Sequence, residues 1–166
     1  MKSVLLISHL LAVVLAAACV WSIRFELTKR PTTRLGFALP PVLALLTAAI
    51  LLAVSPGKRL EFWVVAILAG TVMGLGAGML LKVDKDFERS LVRVRRTYDG
   101  IAVATLLLLL ALMRFVTSDL IGRQSQSMGV LGAVAAFLAF FLAGRVVTLR
   151  YYTARKAIHL DMKRPS

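Results

Sequence analysis

The chain has 166 residues, of which 59% are hydrophobic and only 17% charged, at a mean hydropathy of +0.82. A soluble domain is about 45–50% apolar and about 25% charged, so the chain reads as an integral membrane protein, and its length excludes a large soluble catalytic domain. Lys and Arg total 21 against 8 Asp and Glu, for a net charge of +13, and the lone cysteine, Cys19, excludes an intrachain disulfide or a CxxC redox pair.

Five segments reach the roughly 20 apolar residues that a membrane helix needs. They fall at about 3–23, 37–55, 60–81, 98–117 and 128–149. The expectation is one all-α domain over residues 1–166, a polytopic bundle of five transmembrane helices. The first span carries His9 roughly two turns in and Cys19 near its far end. Lys2, the apolar run and Ala16-Ala17-Ala18-Cys19 also resemble a secretory or lipoprotein signal. Cleavage there would turn the basic loops outward, against the charge rule.

The second span opens on Pro40-Pro41, placed in the first helical turn, where missing amide hydrogens cost little. Ser55-Pro56-Gly57-Lys58 reads as a tight turn, so spans two and three are expected as an antiparallel hairpin. The third span carries Ala66, Gly70, Gly74 and Gly78 at every fourth position, with Gly76 and Ala77 beside them. Small residues on one stripe let another helix approach to backbone contact. Such a stripe makes span three the expected centre of the bundle. The bland reading is packing within the chain; the sharper one is a seam for a protein partner or a second copy, or a ligand groove. The stretch 82–97 is the longest polar segment. Val83, Phe87, Leu91 and Val94 fall at helical spacing, which suits a basic helix on the membrane surface. Residues 91–95 also alternate as a strand does, which suits a hairpin. Arg89, Arg93, Arg95 and Arg96 are candidate contacts for anionic lipid, although basic residues retained on one side of the membrane are the ordinary explanation.

The fourth span is leucine-rich, opened by Asp99 and carrying Arg114 near its end, with Asp119 beyond. The fifth offers Ala135, Ala139 and Ala143 as a counterpart stripe, with Gly132 and Ala136 beside them. Arg145 is expected to snorkel. With five spans, loop one, loop three and the C-terminal segment share a side. That side holds sixteen of the basic residues against five on the other. The N-terminus is therefore expected outside and the C-terminus in the cytoplasm. Trp21, Tyr98, Tyr151 and Tyr152 suit the inner interfacial belt, and Trp63 the outer one.

In that topology His9, Glu61, Arg114 and Asp119 approach one level of the membrane. Intramembrane ionisable groups are costly and find partners or water. These four form the candidate polar site, with an acidic partner expected for Arg114. The bland alternative has Arg114 snorkelling and His9 bonded to a carbonyl. No metal-ligand spacing, GxSxG, HExxH or P-loop is present, so no catalytic set, metal or cofactor is expected and a hydrolase, an ATPase or a zinc protease is unsupported. The high pI follows from topology-setting residues without a nucleic-acid motif, so no nucleic-acid partner is expected.

Arg24, Lys29-Arg30-Pro31, Leu39-Pro40-Pro41, Gly70 and Gly74, the run 93–98, Met113-Arg114-Phe115, and Phe141 through Arg145 to Tyr151 and Lys156 occur in an order that resembles the CcdC-like bacterial membrane proteins. The resemblance covers about residues 21–156. It implies a bacterial cytoplasmic membrane location and an association with cytochrome c biogenesis, in a family without an assigned molecular activity. Lacking CxxC and a haem-attachment CxxCH, this chain would serve there only in an accessory role. Three functions stand side by side: a non-enzymatic accessory or scaffold protein, a small transporter or channel subunit with an outward polar cluster, and a membrane-embedded lipid-binding protein or enzyme.

Overall fold

The computed structural model describes residues 2–24, 32–54, 60–81, 83–86, 91–94, 98–117, 128–151 and 158–159. Among the described residues five helices follow one another: α1 (Lys2–Ile23), α2 (Arg34–Ala53), α3 (Leu60–Leu80), α4 (Asp99–Phe115) and α5 (Met128–Tyr151). Three are long and apolar enough to cross a membrane, through Val4–Ile23, Glu61–Leu80 and Val130–Leu149; α2 holds the shorter apolar stretch Ala38–Ala53.

Four short strands add to the expected helices: β1 (Thr32–Thr33), β2 (Val83–Asp86), β3 (Leu91–Val94) and β4 (Ile158–His159). They form one sheet in the order β1-β3-β2-β4, so an all-α description is incomplete. Within 82–97, the described residues 83–86 and 91–94 pair as antiparallel strands, as the hairpin alternative expects, with Asp84 opposite Arg93 and Lys85 opposite Val92. β1 joins it antiparallel and β4 joins it parallel. Loop one, loop three and the segment after α5 therefore meet at one end of the bundle.

The helices bury small side chains and expose large ones. On α1 the buried residues are His9, Ala12, Ala16, Cys19 and Ile23; on α4 they are Gly100, Ala104, Leu107, Ala111 and Arg114. Steps of three and four residues keep each set on one face. Ala44, Thr47, Ala48 and Leu51 do the same on α2. Outside lie Val4, Ile7 and Val14 of α1, Val65, Leu68 and Val72 of α3, and Leu106, Leu109 and Met113 of α4. A water-soluble surface rarely carries so continuous an apolar coat. A hydrocarbon solvent has no preference for burying the larger side chains, and close approach of backbones then selects small ones.

α5, not α3, is central. Half of its apolar span is buried (50%), against 17% for that of α3. α5 packs against α3, α2 and α4, while α1 packs on α2 and α4. The expected hairpin contact between α2 and α3 is minor, because α5 takes up the packing face of α3. α2 also starts earlier than the sequence suggested, so Pro40 and Pro41 lie inside it rather than in its first turn. Each removes one i→i−4 hydrogen bond from the helix. Nearby, the Cys19 thiol donates to the Pro40 carbonyl at 3.3 Å.

The α3 stripe meets α5 backbone directly. A Cβ added at Gly70 would strike the Phe137 carbonyl, and one at Gly74 the Phe141 carbonyl. At Gly78 it would come within 2.7 Å of the Arg145 carbonyl. The constant offset shows that α3 and α5 run parallel. Gly144 reciprocates, since a Cβ there would lie 2.7 Å from the Thr71 carbonyl. The Thr148 hydroxyl is shared between Gly144 O of its own helix (3.0 Å) and Leu75 O across the seam (3.1 Å). The counterpart is thus Phe137, Phe141, Gly144, Arg145 and Thr148. Ala135 and Ala139, expected to meet α3, belong instead to the core cluster shared with α1, α2 and α4. Missing side chains on α3 suffice for contact with a backbone, whatever side chains α5 carries. Gly76 faces open space and is not part of the seam.

These contacts order a set of substitutions. Gly74→Leu should lose at least about 3 kcal/mol, because the obstacle is a helix backbone that does not yield. Leu108→Ala, at a half-buried core contact, should cost less, about 1–2 kcal/mol. Gly76→Leu should stay within about 0.5 kcal/mol of wild type. Thermal unfolding in mild detergent checks the order; equal stability of Gly74→Leu and Gly76→Leu would contradict it.

Candidate functional site

The inward stripes of α1, α2 and α4 become polar toward one end. His9 on α1 and Arg114 on α4 are each 1% exposed, and Thr47 on α2 is fully buried. The Cys19–Pro40 contact fixes the alignment of antiparallel α1 and α2. Counting back from it places His9 opposite about residue 50, roughly one turn short of Val54. At that end Arg114 Nη2 donates to the Val54 carbonyl at 3.3 Å.

The Val54 bond has a simple physical origin. The last carbonyls of a helix lack intrahelical amide partners. Val54 follows the final residue of α2, where the helix dipole is negative and a cation is favoured. The Arg114 side chain thus ties the end of α4 to the end of α2. After Phe115 the Val116 amide still donates to Leu112 O and Met113 O. The Thr117 hydroxyl donates to Met113 O at 2.9 Å and lies 3.3 Å from Arg114 O. Thr47 sends its hydroxyl to Leu43 O of its own helix at 2.9 Å, so it enters the core already satisfied.

Of the four residues singled out in the sequence, His9 and Arg114 are buried on helices that pack against each other. Glu61 is exposed in the first turn of α3, a favourable place for a carboxylate beside a helix N-terminus. Asp119 lies outside the described residues. Among the contacts of Arg114 is the Val54 carbonyl, and its side chain is buried within the bundle. Arg145 does not snorkel: it is 2% exposed, near the opposite, sheet-bearing end of the bundle. Arg89, Arg95 and Arg96 lie outside the described residues, and Arg93 occupies its register position on β3. Sequence reasoning missed Thr47, although a 3–4 stripe running through Ala44, Thr47, Ala48 and Leu51 signals its inward face.

At the sheet-bearing end, the Arg24 guanidinium lies 3.6 Å from the centroid of the exposed Trp21 ring. Cation and indole together suit an interfacial position. Asp99 is the first residue of α4, where a carboxylate suits the helix dipole, and Tyr98 precedes it without a capping side-chain bond. Among the described residues no three His, Cys, Asp or Glu side chains come together as metal ligands.

Arg114→Met keeps most of the side-chain length and removes the charged donor to Val54. It should destabilise the protein by about 1.5–3 kcal/mol, the range for a hydrogen bond to a charged group. Val116→Ala, at an exposed neighbour, should change stability by less than about 0.5 kcal/mol. Thermal or denaturant unfolding of both variants in detergent checks this. No family model, no curated protein and no solved structure matches this chain.

Proposed function

We propose that the chain is a five-span protein of the bacterial cytoplasmic membrane that serves as a non-enzymatic accessory or scaffold, with its N-terminus outside and its C-terminus in the cytoplasm. The observation that carries this reading is the use of the interior. Alanine and glycine fill most of the close helix contacts, as expected of a fold devoted to holding helices together. The CcdC-like resemblance adds a setting, the assembly of c-type cytochromes, in which a chain without its own dithiol would act beside catalytic partners. The orientation is supported by the basic residues. Sixteen fall on the side whose segments include β1, β2, β3 and β4. That side is also where Arg89, Arg93, Arg95 and Arg96 would meet anionic lipid.

A second reading, a small transporter or channel subunit, is favoured by one specific observation: His9 and Arg114 face inward at the same end of adjacent helices. Ionisable groups turned away from lipid mark many ion and substrate paths. The scaffold reading predicts a stoichiometric protein partner on gentle purification and no substrate-dependent flux in proteoliposomes. The transporter reading predicts flux that falls in Arg114→Met.

The topology has its own test. In a Cys19→Ala background, a cysteine at Gly57 should react with impermeant maleimide in intact cells. One placed after His159 should react only after permeabilisation. Labelling at the second position alone, in intact cells, would invert the model and its orientation.

A further inference from the structure

α1 exposes Val4, Ile7, Leu11, Val14 and Trp21 at steps of three, four and seven residues, so one apolar stripe runs along its outer face and ends on an indole. From Val4 to Trp21 the stripe is about 26 Å long at about 1.5 Å per residue, close to the roughly 30 Å of a membrane's hydrocarbon core. An indole at such an end settles at the membrane–water boundary. Arg24 follows the last residue of α1 and reaches back, so that its guanidinium lies 3.6 Å from the centroid of the Trp21 ring. Both side chains are exposed. The ring thereby holds the cation at the level of the lipid headgroups.

We propose that Trp21 and Arg24 together bind the phosphate of an anionic phospholipid headgroup. The inference goes beyond the accessory and transporter readings and rests on the membrane-spanning reading of α1. A cation–π contact is made between charge and ring face, and it leaves the N–H donors of the guanidinium for other acceptors. Among the described residues no carboxylate pairs with Arg24; Asp99, exposed at the same end of the bundle, forms no ion pair with it. The acceptor abundant at that depth is lipid phosphate, which a guanidinium meets with two parallel N–H groups. The stack also selects among headgroups. An indole face attracts a quaternary ammonium such as choline, but Arg24 already lies over it and repels a second cation. A headgroup of net negative charge meets only attraction.

The test reads the site through its own ring. The chain has two tryptophans, so Trp63→Phe leaves Trp21 as the reporter. The full chain is reconstituted in mixtures of phosphatidylglycerol and phosphatidylcholine in which one lipid or the other carries brominated acyl chains, and bromine quenches Trp21 according to which lipid is its neighbour. Phosphatidylglycerol should be preferred beside Trp21 about fivefold, the effect of one arginine on an anionic lipid at the surface, and salt should weaken the preference. Arg24→Gln should bring the ratio to about one without moving the unfolding temperature, since the side chain is exposed. Arg24→Lys, a second variant in case the first does not fold, keeps the charge, loses the planar fork and should at least halve the preference. A ratio near one with Arg24 in place overturns the proposal and leaves the arginine as an offset to the negative end of the α1 dipole. Full preference in either folded variant overturns it too, because other basic residues then supply the attraction. So does loss of the preference on adding inorganic phosphate at constant ionic strength, which would make the site one for free phosphate. Equal quenching by the two brominated lipids sinks only the headgroup site, whereas quenching by neither sinks the membrane reading of α1 beneath it.

Discussion

Between two helices already surrounded by hydrocarbon there is no water to expel, and what remains to hold them is contact itself. In this protein the contact is made most closely where α3 offers glycine and α5 offers its carbonyls, along Gly70, Gly74 and Gly78. Dispersion falls steeply with distance, so even a gap of about an ångström forfeits a large part of the attraction. Thr148 adds direction to this contact by sharing its hydroxyl between the two helices. The remainder of the bundle follows from α5 being held on one face. Its other face, through Ala135, Leu138, Ala139 and Leu142, is left to gather α2 and α4, and α1 closes on those.

The two buried arginines sit at opposite ends of this arrangement. Arg114 lies where α2 and α4 end, and Arg145 lies toward the sheet. A guanidinium is large, planar and less strongly hydrated than an ammonium, which suits it to burial beside carbonyl oxygens. Arg114 shows how that works, because the end of a neighbouring helix supplies both a vacant lone pair and the favourable end of a dipole. A lysine there would present a compact charge with stronger hydration and less reach.

Much of this was legible in the residues, though unevenly. The helices announced themselves by apolar length, and the glycine stripe announced a close contact. The partner of that contact was not legible, since a stripe of glycines specifies an approach to backbone and is silent about which side chains flank it. Ala135 and Ala139 looked like partners for α3 because they too are small; they serve the core on the other face of α5. The 3–4 spacing of Ala12, Ala16 and Cys19 marks the buried face of α1, and small size alone does not say which neighbour a stripe meets. Of the candidate polar site, the inward stripe places His9 and Arg114. Glu61 sits at a helix start whose direction the level of the membrane alone does not determine. Residues 82–97 carry two periodicities at once, and the pairing of β1 and β4 with the hairpin, a long-range event, decides between them.

That long-range pairing has a temporal side. β2 is bracketed by β3, its near neighbour in sequence, and β4, which follows all five helices. A ribosome delivers these pieces in order, and β2 must wait with one edge open while α4 and α5 are synthesised. An open strand edge invites pairing with other chains. The short β4 follows α5 in the chain, so it can close that edge only after α5 has been made. Until then the nascent chain shows its surroundings an unfinished edge.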